Sequence, residues 1–174
     1  MMTFVAGTRP RLEAVPFAVE GDRKAVAAAK KIAKALKAEV FEIRKEAKVL
    51  YHALGSFSSP LIVATLVTAE RVGRAAGLSP RQVAKFMQPI LRQTMKNFLE
   101  KGTASAFSGP IKRGDLNTVR RHLENLEKVP RAADVYRALV KSVLLDLPAE
   151  NKEELLQLLR GRSKNLSQRR SKAI

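Results

Sequence analysis

The stretch Pro60–Ala69, PLIVATLVTA, carries no charge on any side, yet it lies inside a helical pattern running from about Lys45 to Ala76. A helix that is apolar all round must be enclosed all round. At ~1.5 Å per residue, about 32 residues make a rod of ~48 Å, which one small domain cannot wrap alone. Burial by a second subunit is the economical expectation. The uncharged run Ala53–Ala69 is shorter than the roughly 20 residues of a membrane span and holds hydroxyl residues and a proline. It therefore reads as a buried helix of a soluble protein. Pro60 removes the bond from its own nitrogen to the Ser56 carbonyl, which predicts a kink there.

Strand character is confined to the first forty-odd residues. VPFAVEGD, residues 15–22, alternates toward an acidic stop, and Asp22 is placed to cap a helix over Arg23–Lys37 with Val26, Ala29, Ile32, Ala33 and Leu36 on one face. EVFEI, Glu39–Ile43, reads as a second strand. Strand, helix and strand in about thirty residues make one βαβ-sized unit, which normally belongs to a larger parallel sheet. The organisation expected is a βαβ remnant over 1–43, a helical domain over 44–160 and a basic tail over 161–174.

Beyond the first long helix, GLSP at Gly77–Pro80 combines a C-terminal glycine with Ser79 as cap and Pro80 at the first turn of the next helix, Pro80–Lys101. Further helices are expected over Leu116–Lys128, Arg131–Leu147 and Glu150–Arg160. A chain of 174 residues suits one domain or little more. It has no cysteine, which removes disulfides, thiolate catalysis and Cys-based zinc sites. With no signal-peptide pattern at the N-terminus, the expected location is the cytoplasm.

The formal charge is +17. After Glu154 no acid occurs, and RGRSKNLSQRR with Lys172 concentrates basic residues at the end. Such an excess favours anionic partners, so a basic helical nucleic-acid-binding protein is the alternative reading. Against it stand nine aromatics, no Trp and no known recognition motif. The rest of the charge lies along helices with apolar opposite stripes, as on a solvated face.

Candidate chemistry falls in two places. On the first long helix Lys48, His52, Gly55 and Ser59 share one stripe, within about 60 degrees on a helical wheel, bordered by Tyr51. His52 and Lys48 are candidates for proton transfer or substrate orientation. In SGPIKRGDLNTVRRHL, residues 108–123, Gly109-Pro110 and Gly114 bracket a turn, Arg113 stands beside it, and Asp115 occupies an N-cap position. Thr118 and His122 continue the polar edge of the following helix. The free N–H groups at its start form a natural anion site. An adhesion role for Arg113-Gly114-Asp115 has no other support. No metal site and no G-x-G-x-x-G fingerprint is present, so no residue here is assigned to a cofactor.

Taken in order, VPFAVEGD, KVLYHALGSFSSPLIVATL, AGLSP and AFSGPIKRGDLNTVRRHL resemble the C-terminal domain that follows a Rossmann-like NAD(P)-binding domain in a bacterial family of oxidoreductase-like proteins. That family is similar in architecture to pyrroline-5-carboxylate reductase and the 6-phosphogluconate dehydrogenase C-terminal group. The resemblance covers about Phe4–Leu147. It implies a mainly α fold: a helical 6-phosphogluconate-dehydrogenase-C-terminal-like domain after a βαβ remnant of a Rossmann-like domain. It also implies a homodimer through the long helices, NAD(P) held by a missing Rossmann-like domain, a small carbonyl or imine substrate, and no membrane partner. Lys48 and His52 would be the catalytic candidates. Tyr51, Ser59, Gly109, Pro110, Arg113, Asp115, Thr118 and His122 would shape the substrate cleft. The family commonly has Asn where this chain has Pro60. The chain corresponds to a C-terminal portion, expected to bind no dinucleotide tightly and to turn nothing over by itself.

Overall fold

The computed structural model describes residues 6–7, 12–13 and 15–160. The expected basic tail, 161–174, and the first five residues lie outside them. The fold is mainly helical after a small βαβ unit, and the chain divides into two units, Met1–Ala64 and Thr65–Ile174.

In the first unit β1 (Phe17–Val19) and β2 (Val40–Glu42) pair in parallel, Phe17 opposite Val40 and Val19 opposite Glu42. Helix α1 (Arg23–Ala35) connects them. Its start follows from Asp22, whose carboxylate accepts the Ala25 N–H at 2.8 Å. Its end is set by Lys37 in the left-handed region (φ 53), with the Ala38 N–H closing onto the Ala33 carbonyl at 2.9 Å. Ala33 is fully buried. Among the described residues the sheet has these two strands alone.

The single helix expected over Lys45–Ala76 is instead a 3-10 turn (Lys45–Ala47), α2 (Lys48–Ser58) and α3 (Pro60–Ala75). Ser59, at φ −138 and ψ −85, leaves the helical region. Pro60 then stands at the first position of α3, where no N–H is required. The proline thus separates two helices where a kink was expected.

Within the described residues the apolar segment, for which burial by a second subunit is expected, is not enclosed. Leu61 is 44% and Val63 56% exposed, and Thr68 is the one buried residue of α3. Among the described residues no second layer covers α2 or the start of α3. By length and composition alone the run Lys45–Ala75 could cross a membrane, and none of its most apolar window is buried. The break at Ser59 interrupts the backbone ladder that such a crossing would require.

In the second unit α3 turns into α4 (Pro80–Lys101) through Gly77, and Ser79 with Gln82 forms a reciprocal capping box. Gly73 allows the helices to meet, since a Cβ there would lie 2.8 Å from a Val83 methyl. A short helix, α5 (Thr103–Ala106), precedes the turn to α6 (Leu116–Leu126), α7 (Ala132–Asp146) and α8 (Lys152–Arg160). The core of the unit is built by these last three helices: Val119 and Leu123, Val140 and Leu144, Leu155 and Leu159. Each pair is spaced i, i+4, which places both members on one helix face. Full burial of one such side chain contributes about 1.5–3 kcal/mol.

Helix α8 begins two residues later than expected because Glu150 and Asn151 have another task. The Glu150 N–H donates to the Lys112 carbonyl at 3.1 Å, and the Asn151 side-chain amide donates to the Gly114 carbonyl at 3.1 Å. The turn before α6 is thereby pinned to the start of α8. Gly114 makes this possible: its φ is 59, and a Cβ would stand 2.2 Å from the Glu150 carbonyl oxygen.

Candidate functional site

The residues singled out in the sequence occupy three places. In the first unit a cavity of about 830 Å³ opens between the strands and α2, with Phe17, Phe41 and Ile43 on one side. Tyr51, His52, Gly55 and Ser59 line it from α2 and the break that follows. Of the stripe expected on that helix, His52, Gly55 and Ser59 meet at this cavity, with Ser56 and Ser58 beside them. The volume lies in the ~300–1,000 Å³ range of small-molecule sites.

Lys48, one turn before His52, is not among the lining residues. Its Nζ donates to Glu20 Oε1 at 2.7 Å, joining the start of α2 to the end of β1. That hydrogen bond holds the Glu20 carboxyl below its ordinary range; desolvation opposes the shift, and the charges of Lys48 and Lys45 add to it. Lys48 thus has a defined partner other than a ligand.

In the second unit a groove of about 640 Å³ runs between α3, α6 and α7. Thr118 and His122 line it, together with Arg121 and Asn125 from the same face of α6. Tyr136 of α7 meets His122 there, its hydroxyl 3.3 Å from Nδ1 and its ring nearly perpendicular, with centroids 5.9 Å apart. Burial pushes the Tyr136 phenol above its ordinary value. Tyr136 was missed in the sequence, although it is one of two tyrosines and stands on the apolar side of α7.

The turn residues Gly109, Pro110, Arg113 and Asp115 line neither cavity. Asp115 caps α6 as expected, accepting the Thr118 N–H at 2.9 Å. The Thr118 backbone bond holds its carboxyl below the ordinary range, with smaller help from the Thr118 hydroxyl and the charges of Arg113 and His122, while desolvation opposes it. A capping carboxylate occupies the helix start that might otherwise receive an anion. Among the described residues no group of three or more His, Asp or Glu could hold a metal ion.

A two-stranded βαβ unit leading into a helical unit defines the class of the fold. The chain belongs to the family described as Domain of unknown function (DUF2520), whose model matches residues 15–143. Its fold is similar to the crystal structure of a Bacteroides fragilis protein provisionally named an NADP oxidoreductase, with a TM-score of 0.66 and 23% identity. The match covers 82% of this chain and 54% of that one, so the chain spans about half the length of its structural relative. No curated protein matches the chain.

Among the described residues the β1–α1 turn does not fit a dinucleotide. The β1–α1 turn, where a dinucleotide-binding βαβ unit receives the pyrophosphate on a helix N-terminus, reads Glu20-Gly21-Asp22. The Asp22 carboxylate already accepts from the first turn of α1, and Glu20 adds a second acid.

Proposed function

We propose that this chain is the substrate-binding and dimerisation part of an NAD(P)-dependent oxidoreductase and is inactive without a nucleotide-binding half. The observation that carries the reading is the combination, among the described residues, of a two-stranded parallel sheet with helices whose apolar side chains are left uncovered. Val49, Leu50, Leu54 and Phe57 of α2 are all exposed. The likeness to a longer protein bearing an NADP oxidoreductase name supports it.

The reaction class is oxidation or reduction of a small carbonyl or imine substrate, with NAD(P) bound by the other half. The share of this chain is binding and proton handling. In the first unit His52, with Tyr51 and Ser59, orients the substrate or moves its proton; in the second, Thr118 and His122 contribute to the cleft. Lys48 sets the position of α2 through Glu20, one turn from His52. The partner for the exposed faces of α2 and α3 is a second copy of the chain, and the location is cytoplasmic, off the membrane.

Calorimetry of this chain with NADPH is expected to show no tight binding, and sedimentation a dimer that Leu54→Glu with Phe57→Glu dissociates. In a longer family member that carries the nucleotide-binding half, replacing the residue equivalent to His52 by Gln is expected to lower kcat/KM. Micromolar NADPH binding by this chain, or a monomer at high concentration, would overturn the reading.

A further inference from the structure

The groove of the second unit has a polarity that the reading above does not use. Along one wall Thr118, Arg121, His122 and Asn125 follow the i, i+3, i+4, i+7 spacing of one helix face. Facing them are the aliphatic side chains Ala69 and Val72 of α3 and Val135 and Leu139 of α7. The lining contains no acid, and Arg121 is its one permanently charged side chain.

A second cation, Arg71, belongs to α3 on the opposite side of the groove. Arg71 Nη2 donates to the Thr68 hydroxyl at 3.1 Å, and Thr68 lines the groove. The Arg71 Nε is buried without a hydrogen-bond partner. Two acids of the same helices are paired with other cations, Glu127 with Arg137 at 2.5 Å and Asp134 with Arg131 at 3.2 Å, and Asp115 caps α6. A trough with an aliphatic stretch at Ala69, Val72, Val135 and Leu139, beside the hydroxyl-bearing Thr65 and Thr68, and a cationic, donor-rich α6 wall is complementary to a molecule that is apolar along its body and anionic at one end.

We propose that this groove binds a small apolar carboxylate, its body on Val72, Val135 and Leu139 and its carboxylate at Arg121 and His122. Tyr136 is a positioning residue: its hydroxyl at Nδ1 and its perpendicular ring fix the His122 imidazole. The inference rests on the reading of Thr118 and His122 as cleft residues and adds the ligand class.

The test uses the full chain without cofactor, titrated with hexanoate, hexanol and hexylammonium, by calorimetry and by the His122 ring resonances. Hexanoate is expected to bind and move those resonances, hexanol to bind about tenfold more weakly, as for loss of a charge-assisted hydrogen bond, and hexylammonium not to bind. Arg121→Ala is expected to weaken hexanoate about tenfold, Arg121→Lys to keep most of the affinity, and Arg120→Ala to change nothing. In Tyr136→Phe hexanoate still binds but moves the His122 resonances differently.

Equal binding of the three probes, an unchanged affinity in Arg121→Ala, or His122 resonances indifferent to hexanoate would overturn the proposal. So would His122 resonances that respond to protein concentration alone, because a second copy would then fill the groove. None of these results bears on NADPH or His52, so failure here is distinguishable from failure of the oxidoreductase reading.

Discussion

Gly114→Ala is the substitution whose cost follows most directly from the structure. A Cβ at this position would lie 2.2 Å from the Glu150 carbonyl oxygen and 2.5 Å from its carbon. Both are backbone atoms, so no rotamer relieves the contact and the start of α8 must withdraw. Withdrawal breaks the Glu150–Lys112 and Asn151–Gly114 hydrogen bonds, each contributing about 1 kcal/mol. Holding alanine at φ 59 costs about 1 kcal/mol more. The expected loss is therefore about 3 kcal/mol, before any loosening of Leu155 and Leu159 in the core. Gly109→Ala is the matched control: φ is 89 there, but nothing lies within 4 Å of a Cβ, so only the strain of about 1 kcal/mol applies. With a urea slope of about 1–2 kcal/mol per M, the two variants should differ in midpoint by about 1–2 M. Amide exchange should quicken across Lys152–Arg160 in the first variant and not in the second. Identical midpoints would refute the claim that the Lys112–Asp115 turn is clamped to α8.

Asp115 titrates below its ordinary range because the folded state binds its carboxylate form. Its stabilisation is thus present above the unfolded pKa and lost as pH falls through the depressed folded one. Asp115→Asn, which still caps, is expected to flatten that part of the acid limb in urea melts taken from neutral pH downward. Leu155→Ala should cost about 2–5 kcal/mol in thermal or urea unfolding, since the side chain is fully buried. Leu145→Ala, at a side chain 79% exposed and outside the core cluster, should stay within about 0.5 kcal/mol.

What could be read from the sequence was local chemistry. Asp22, Ser79 and Asp115 each accept from the first turn of the helix they precede, at the positions their residue types and the following apolar spacing indicate. The break at Ser59 was available by the same logic and was not used. Ser59-Pro60 is the same pair as Ser79-Pro80, but no glycine stands two positions before it as Gly77 does before Ser79, so the Lys45–Ala76 pattern read as continuous. The pair His52 and Gly55 was legible because α2 alone presents it.

Pairings across the chain were not legible in this way. Periodicity placed His122 on a polar edge of α6, but only packing brings Tyr136, fourteen positions later, against it. Spacing put Lys48 on the His52 stripe, but only packing brings Glu20, 28 positions earlier, to it at 2.7 Å. Gly114 read as a turn residue, while its absolute need for a missing Cβ comes from Glu150. The apolar face of α2 follows the same rule with the sign reversed. Spacing measures how much surface a helix must hide, and within these residues nothing hides it. Because that demand is written in the helix and its satisfaction depends on what packs against it, charging Leu54 and Phe57 tests the partner without disturbing the α6–α8 core.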